Sequence, residues 1–180
     1  MYIPNFITIG RILLVPVMIW LLISGAYPEA LAVFAVAALS DAVDGWLARK
    51  LQARTELGSY LDPLADKTML VSTYATLGAT RAMPAWLVIL VISRDVLIIG
   101  GLMLAWLLDK PVNVKPLFVS KVNTLAQIFY MVLLLGQLSF DFLPGRLFDV
   151  AGLAVAALTI ASGIAYLRAW VMHMNGAMSP

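Results

Sequence analysis

Residues Ser40–Lys67 read SDAVDGWLARKLQARTELGSYLDPLADK and place five acids and four bases in 28 positions. On either side the chain is apolar for twenty residues at a time. Over all 180 residues it is 62% hydrophobic and 12% charged, with a mean hydropathy of +0.94. Soluble domains carry about 25% charged residues. Half that share, with apolar runs near the length of a bilayer core, predicts an integral membrane protein. A formal net charge of +2 offers nucleic acid no electrostatic footing, so no nucleic-acid partner is expected. Without cysteine there are no disulfides and no thiolate metal sites. The first apolar run lacks a small-residue cleavage site followed by a soluble domain, so a cleavable signal peptide is not expected.

Working outward, six segments are long enough to cross a bilayer: about 6–26, 29–51, 62–80, 84–108, 120–140 and 147–172. Between them stand breakers: Pro28, the run Arg54 to Gly58, Arg81 to Pro84, Asp109 to Pro116, and Asp141 to Gly145. The expected fold is therefore an all-α integral membrane protein, a single domain over 1–180 with six transmembrane helices. Lys and Arg concentrate after spans two and four, at Arg49, Lys50, Arg54, Lys67, Lys110, Lys115 and Lys121, with Arg168 near the C-terminus. The opposite loops hold only Arg81 and Arg146. By the positive-inside rule both termini and the aspartate-rich loop are expected on the cytoplasmic side. Tryptophans near the span ends fit an aromatic belt.

Charge inside a span is costly and normally faces a cavity or a partner. Asp41, Asp44 and Ala48 recur at i, i+3 and i+7, one face of a helix, and Asp62 and Asp66 recur at i and i+4. Two neighbouring antiparallel helices would collect the four carboxylates, which at that density need cations. All-oxygen ligation favours a hard divalent ion such as magnesium, manganese or calcium. A pair of such ions is a common device for phosphoryl-type chemistry. Taken singly, Asp62 before Pro63 reads as an ordinary helix start; the four acids on matched faces beside Arg49 favour a site. The D-x-D-x-D-G calcium loop is absent. Gly45, Ala48 and Gly58 would let a flat base or a diphosphate approach the backbone, although small residues in membrane helices also serve as packing contacts.

Asp41-x2-Asp44-Gly45-x2-Ala48-Arg49-x8-Gly58-x3-Asp62-x3-Asp66 matches, at all eight positions, the signature of the CDP-alcohol phosphatidyltransferases. The chain resembles that family over almost its whole length. The resemblance implies transfer of a phosphatidyl group from CDP-diacylglycerol to an alcohol with release of CMP. It further implies two divalent metal ions, Mg2+ or Mn2+, with Asp41 and Asp62 on both, Asp44 completing one and Asp66 the other. Asp66 would be the catalytic base. Gly45, Ala48, Arg49, Thr55 and Gly58 would hold the nucleotide and its phosphates, and the IPNFITIGR run would bring Asn5 and Thr8 to the cytidine. It also implies a homodimer in the bacterial inner membrane, with the active site near the cytoplasmic face.

The acceptor is read from the second half of the chain. ISRDVLIIGG and KPLFVSKVNTLAQ resemble the CMP-forming cardiolipin synthases, which implies phosphatidylglycerol as acceptor. Phosphatidylglycerophosphate synthases, which use glycerol 3-phosphate, share IPNFITIGR. They have an Arg-Glu pair in place of Arg94-Asp95, and a second lysine where Asn123 stands. A phosphomonoester benefits from more basic donors, so Arg94, Lys121 and Asn123 favour the diester. Arg94 and Asp95, being adjacent, are expected on different helix faces. Two further classes use intramembrane acids. Prenyltransferases lack this glycine and arginine spacing, and a cation carrier would gain nothing from a base fixed beside its carboxylates.

Overall fold

The computed structural model describes the backbone of residues 3–51, 56–107, 118–142 and 145–174, and side chains within 10–40, 67–101, 118–142 and 145–172, with that of Met103. Among these residues there are six helices: α1 Ile3–Ile23, α2 Tyr27–Leu51, α3 Glu56–Ala79, α4 Ala85–Leu107, α5 Phe118–Phe140 and α6 Gly145–Met174. Each coincides with an expected span to within a few residues, except at the start of α3. That helix begins six residues before Asp62. Asp62-Pro63 is therefore no helix start; it lies inside the helix, with Gly58, Asp62 and Asp66 at i, i+4 and i+8.

The helices fall into two compact units. One contains residues 1–83 and 132–142, and the other residues 84–131 and 143–180. In the first, α1 packs on both α2 and α3. Its buried side chains follow helical spacing: Val15, Met18 and Leu22 on α1, Ala30, Phe34 and Ala37 on α2, and Leu70, Tyr74 and Leu77 on α3. In the second, α4 packs on α6 around Leu87, Val91, Met131, Val155 and Ala156. Trp170 Nε1 donates to the Gly101 carbonyl at 3.1 Å. Tyr130 stacks on Phe148 against Gly152, where a Cβ would come within 3.2 Å of the Tyr130 hydroxyl.

The faces turned away from these cores are also apolar. Leu13, Trp20, Leu39, Ile89, Leu125, Phe129 and Leu153 are each at least 61% exposed. A helix apolar all round, with contiguous large hydrophobic side chains outside, belongs in an apolar medium. Among the described residues, α5 and the 145–172 stretch of α6 are long and apolar enough to cross a membrane, and 10–23 and 27–40 are shorter apolar helices. Hydroxyls on α3 and α5 bond back to their own helix, with Thr73 donating to the Met69 carbonyl, Thr76 to Ser72 and Ser139 to Leu135. That satisfies a polar group where no water is at hand.

Two helix ends use the same device with different residues. At the end of α1, Gly25 N donates to Leu22 O and Ala26 N to Leu21 O; at the end of α3, Arg81 N donates to Gly78 O and Ala82 N to Leu77 O. This paired closure requires a left-handed residue, and φ is +71° at Gly25 and +60° at Arg81. A side chain at that φ is strained by roughly 1–2 kcal/mol, offset in part by the entropy cost of glycine. Arg81→Gly should thus stabilise the first unit by about 0.5–1 kcal/mol. Gly25→Ala, with open space around its Cβ, should destabilise it by about 1 kcal/mol from backbone strain alone. Thermal unfolding in detergent checks both signs.

Candidate active site

The aspartates expected to hold metal all lie on helices of one unit. Asp41, Asp44, Gly45, Ala48 and Arg49 occupy the last three turns of α2; Gly58, Asp62 and Asp66 occupy the first three turns of α3. Asn5 and Thr8 stand in the first two turns of α1, the helix that packs on both α2 and α3. The backbone thus gathers every one of these positions into one unit. Their side chains, with Thr55 altogether, lie outside the described residues. Among the described residues no group of three or more His, Cys, Asp or Glu could hold a metal. The all-oxygen quartet of the signature, the donor set expected for a divalent ion, lies outside the described side chains.

The second unit is described in atomic detail and holds the three residues expected at the acceptor. Arg94 on α4 is 5% exposed and Asp95 is 3% exposed. Adjacent residues on a helix diverge by about 100°, yet these two are joined: Arg94 Nη1 lies 2.6 Å from Asp95 Oδ1. The long arginine side chain bends back to its neighbour, so the two residues leave the helix in different directions and still meet at their ends. Arg94 Nη2 donates to Ser120 Oγ on α5 and, at 2.6 Å, to Ser162 Oγ on α6. Its Nε reaches the same Ser162 oxygen at 3.2 Å. Four of the five guanidinium N–H groups are thereby engaged, and the Tyr166 ring lies 5.7 Å below the guanidinium carbon. A charge so far from water is tolerated only with this degree of pairing.

One turn further along α5, Asn123 is wholly buried. Its Oδ1 accepts from Thr159 Oγ1 at 3.0 Å. Thr159 also donates to its own Val155 carbonyl at 2.8 Å and accepts from Gln127 Nε2 at 3.4 Å. Asn123 Nδ2 is buried and has no hydrogen-bond partner among the described residues. Lys121 is exposed on α5. The structure therefore brings Arg94 and Asn123 to adjacent levels of one polar interior and leaves Lys121 on the helix's outer side.

Ser120, Gln127, Thr159, Ser162 and Tyr166 escaped the sequence reading. A signal for them exists: Ser120, Asn123 and Gln127 on α5, and Thr159, Ser162 and Tyr166 on α6, both recur at i, i+3 and i+7. Two matched polar stripes in otherwise apolar helices mark facing surfaces.

Comparison with known proteins bears on the family of the chain. The family model described as CDP-alcohol phosphatidyltransferase matches residues 1–172. A rice protein named CDP-diacylglycerol--glycerol-3-phosphate 3-phosphatidyltransferase 1, chloroplastic, is 34% identical over 91% of this chain and 55% of its own length. The human protein named cardiolipin synthase (CMP-forming) is 33% identical over 91% of this chain and 60% of its own. The Bacillus subtilis CDP-diacylglycerol--glycerol-3-phosphate 3-phosphatidyltransferase is 32% identical over 91% of this chain and 92% of its own. The chain thus spans little more than half the length of the plant and human relatives and nearly all of the bacterial one. With the eight-position signature intact and the match running through all six helices, the chain belongs to the CDP-alcohol phosphatidyltransferase family.

Proposed function

We propose that the protein transfers a phosphatidyl group from CDP-diacylglycerol to an alcohol and releases CMP, with phosphatidylglycerol as acceptor and cardiolipin as product. The observation that carries this reading is the family match over residues 1–172, within which the aspartate signature is complete. The acceptor oxygen forms the new bond to the phosphorus of the phosphatidyl group, the diphosphate bridge breaks, and its oxygen leaves with CMP. The proton of the acceptor hydroxyl passes to Asp66. A carboxylate is a weak base for an alcohol, so the proton must move as attack proceeds, and position counts for more than basicity.

Asp41, Asp44, Asp62 and Asp66 would hold two divalent ions, Mg2+ or Mn2+. Such ions, when bound, neutralise the diphosphate and the charge that develops on the leaving oxygen. Arg49 pairs with the diphosphate, while Gly45, Ala48 and Gly58 leave room for the nucleotide against the backbone. Thr55, Asn5 and Thr8 complete the nucleotide side. Arg94 and Asn123 take the acceptor's phosphate and hydroxyls, whereas Lys121, expected beside them, stands on the outer side of α5. The protein is a single membrane domain with six crossings and both termini cytoplasmic, a homodimer of the bacterial inner membrane. Its site lies near the cytoplasmic face, where CMP leaves into water and acyl chains stay in lipid.

Glycerol 3-phosphate is the second reading, favoured by the names of the rice and Bacillus relatives. The buried neutral Asn123 and the self-paired Arg94 favour the diester, because a phosphomonoester carries about −1.5 to −2 charge at pH 7.

Supplying CDP-diacylglycerol with phosphatidylglycerol, glycerol 3-phosphate, serine and inositol in turn decides the acceptor by the lipid formed; absence of CMP release with all four would overturn the reading. Asp66→Asn should lower transfer by about 10²–10⁴-fold while CDP-diacylglycerol still binds. Chelation of divalent ions should abolish turnover, and added Mg2+ or Mn2+ should restore it; full turnover in excess chelator contradicts the metal assignment.

A further inference from the structure

We propose that Thr159 and Ser162, one turn apart on α6, are positioning residues: their hydroxyls fix the facing and the spacing of the two groups that take the acceptor, the Asn123 amide and the Arg94 guanidinium. The inference rests on the proposed function, in that Arg94 and Asn123 are there assigned to the acceptor, and it gives α6 a role that reading lacks.

Arg94 comes from α4 and Asn123 from α5, so neither helix alone sets the distance between them. Both side chains reach the same stripe of α6. Ser162 Oγ accepts from Arg94 Nη2 at 2.6 Å and from Nε at 3.2 Å, and Thr159 Oγ1 donates to Asn123 Oδ1 at 3.0 Å. Thr159 and Ser162 are wholly buried and bring no charge. At i and i+3 they stand one above the other on the helix, about 5–6 Å apart at Cβ. The arginine stem follows the same helix: a Cβ at Gly163 would lie 3.8 Å from Arg94 Cγ, and the Tyr166 ring lies beneath the guanidinium. A single helix turn thus stands behind both groups.

What the hydroxyls leave open is as specific as what they engage. Ser162 takes two of the guanidinium N–H groups, and Ser120 and Asp95 take one each; the fifth, on Nη1, remains for a ligand. Thr159 takes the oxygen end of the Asn123 amide. The nitrogen end therefore faces away from it, buried, with no hydrogen-bond partner among the described residues. A buried donor left unmade is expensive, and an oxygen of a bound acceptor satisfies it. Without the Thr159 hydroxyl nothing on α6 tells the two ends of the amide apart, and the reversed amide sets its own oxygen against an oxygen of the ligand. Without Ser162 two N–H groups are released and the guanidinium regains freedom on its long stem. Donors fixed in advance spare the acceptor that ordering cost. Neither hydroxyl needs to touch the acceptor; each acts through the group it holds.

The test uses the full chain in detergent micelles, with KM measured separately for phosphatidylglycerol and for CDP-diacylglycerol. Thr159→Val keeps the side chain's shape and loses the hydroxyl; Ser162→Ala loses the other one. Each should raise the acceptor KM about fivefold to tenfold, the effect of one hydrogen bond, and leave the KM for CDP-diacylglycerol where it was. Thr159→Ser, which keeps the hydroxyl, should stay within about twofold of the unaltered protein. An orienting role also predicts non-additivity: in an Asn123→Ala background, Thr159→Val should raise the acceptor KM no further. Hydroxyls that only hold helices together would lower the thermal midpoint and leave the acceptor KM unmoved, and that result in either variant overturns the inference. So does a Thr159→Val effect that persists in full on Asn123→Ala. Should Ser162→Ala fail to fold, the Thr159 variants decide alone. If Asn123→Ala itself leaves the acceptor KM unmoved, the assignment of Asn123 in the proposed function fails, and this inference with it. An unaltered protein that makes lipid from neither phosphatidylglycerol nor glycerol 3-phosphate brings down the proposed function before any variant is made, and this inference falls with it.

Discussion

A guanidinium held away from water dictates the internal design of the second unit. Arg94 is satisfied only because three helices each bring something to it: α4 its own Asp95, α5 the Ser120 hydroxyl, and α6 the Ser162 hydroxyl and the Tyr166 ring. Loss of any one leaves a charge or a donor stranded in a medium where that is expensive. Hence α4, α5 and α6 are tied at one level by polarity. Around that level apolar contacts and the close approaches at Gly101 and Gly152 suffice. Apolar surface alone gives little preference for one helix neighbour over another when the surroundings are equally apolar; the arginine supplies the preference.

The first unit solves a different problem. Its described half is an apolar wedge of α1, α2 and α3 packed through Met18, Phe34 and Tyr74, and its helices carry the acids of the signature on adjoining turns. Rigid apolar packing at one end of α2 and α3 would allow the like charges proposed at the other to be collected, since carboxylates brought together repel until cations arrive. On that proposal, stability and chemistry would be divided along the length of the same two helices.

The helices were legible in the sequence because a chain this apolar interrupts itself only where it must turn, and Pro28, Arg81 and Asp141 mark those places. The start of α3 was not. Arg54 to Gly58 read as a connection and Asp62-Pro63 as a helix start, Gly58 and Ser59 being weak helix formers, but the backbone from Glu56 is helical, as expected where tertiary context overrides local preference. The acids of the proposed site stand out in the sequence because carboxylates in so apolar a chain are rare enough to count singly. The partners of Arg94 do not, since serine, threonine and tyrosine are unremarkable one at a time; their meaning lies in the matched spacing on two helices. The pairing of Arg94 with Asp95 was hidden by sequence adjacency, which speaks for the Cβ directions and not for the end of a long, flexible side chain.

Thr159 has one hydroxyl proton and two acceptors in reach, Asn123 Oδ1 across the interface and the Val155 carbonyl on its own helix. Rotation about a single bond chooses between them. With its proton on Val155 the hydroxyl leaves α6 no stranded donor, and with its proton on Asn123 it ties α6 to α5. The same side chain thus serves as a link between helices and as a cap on its own backbone.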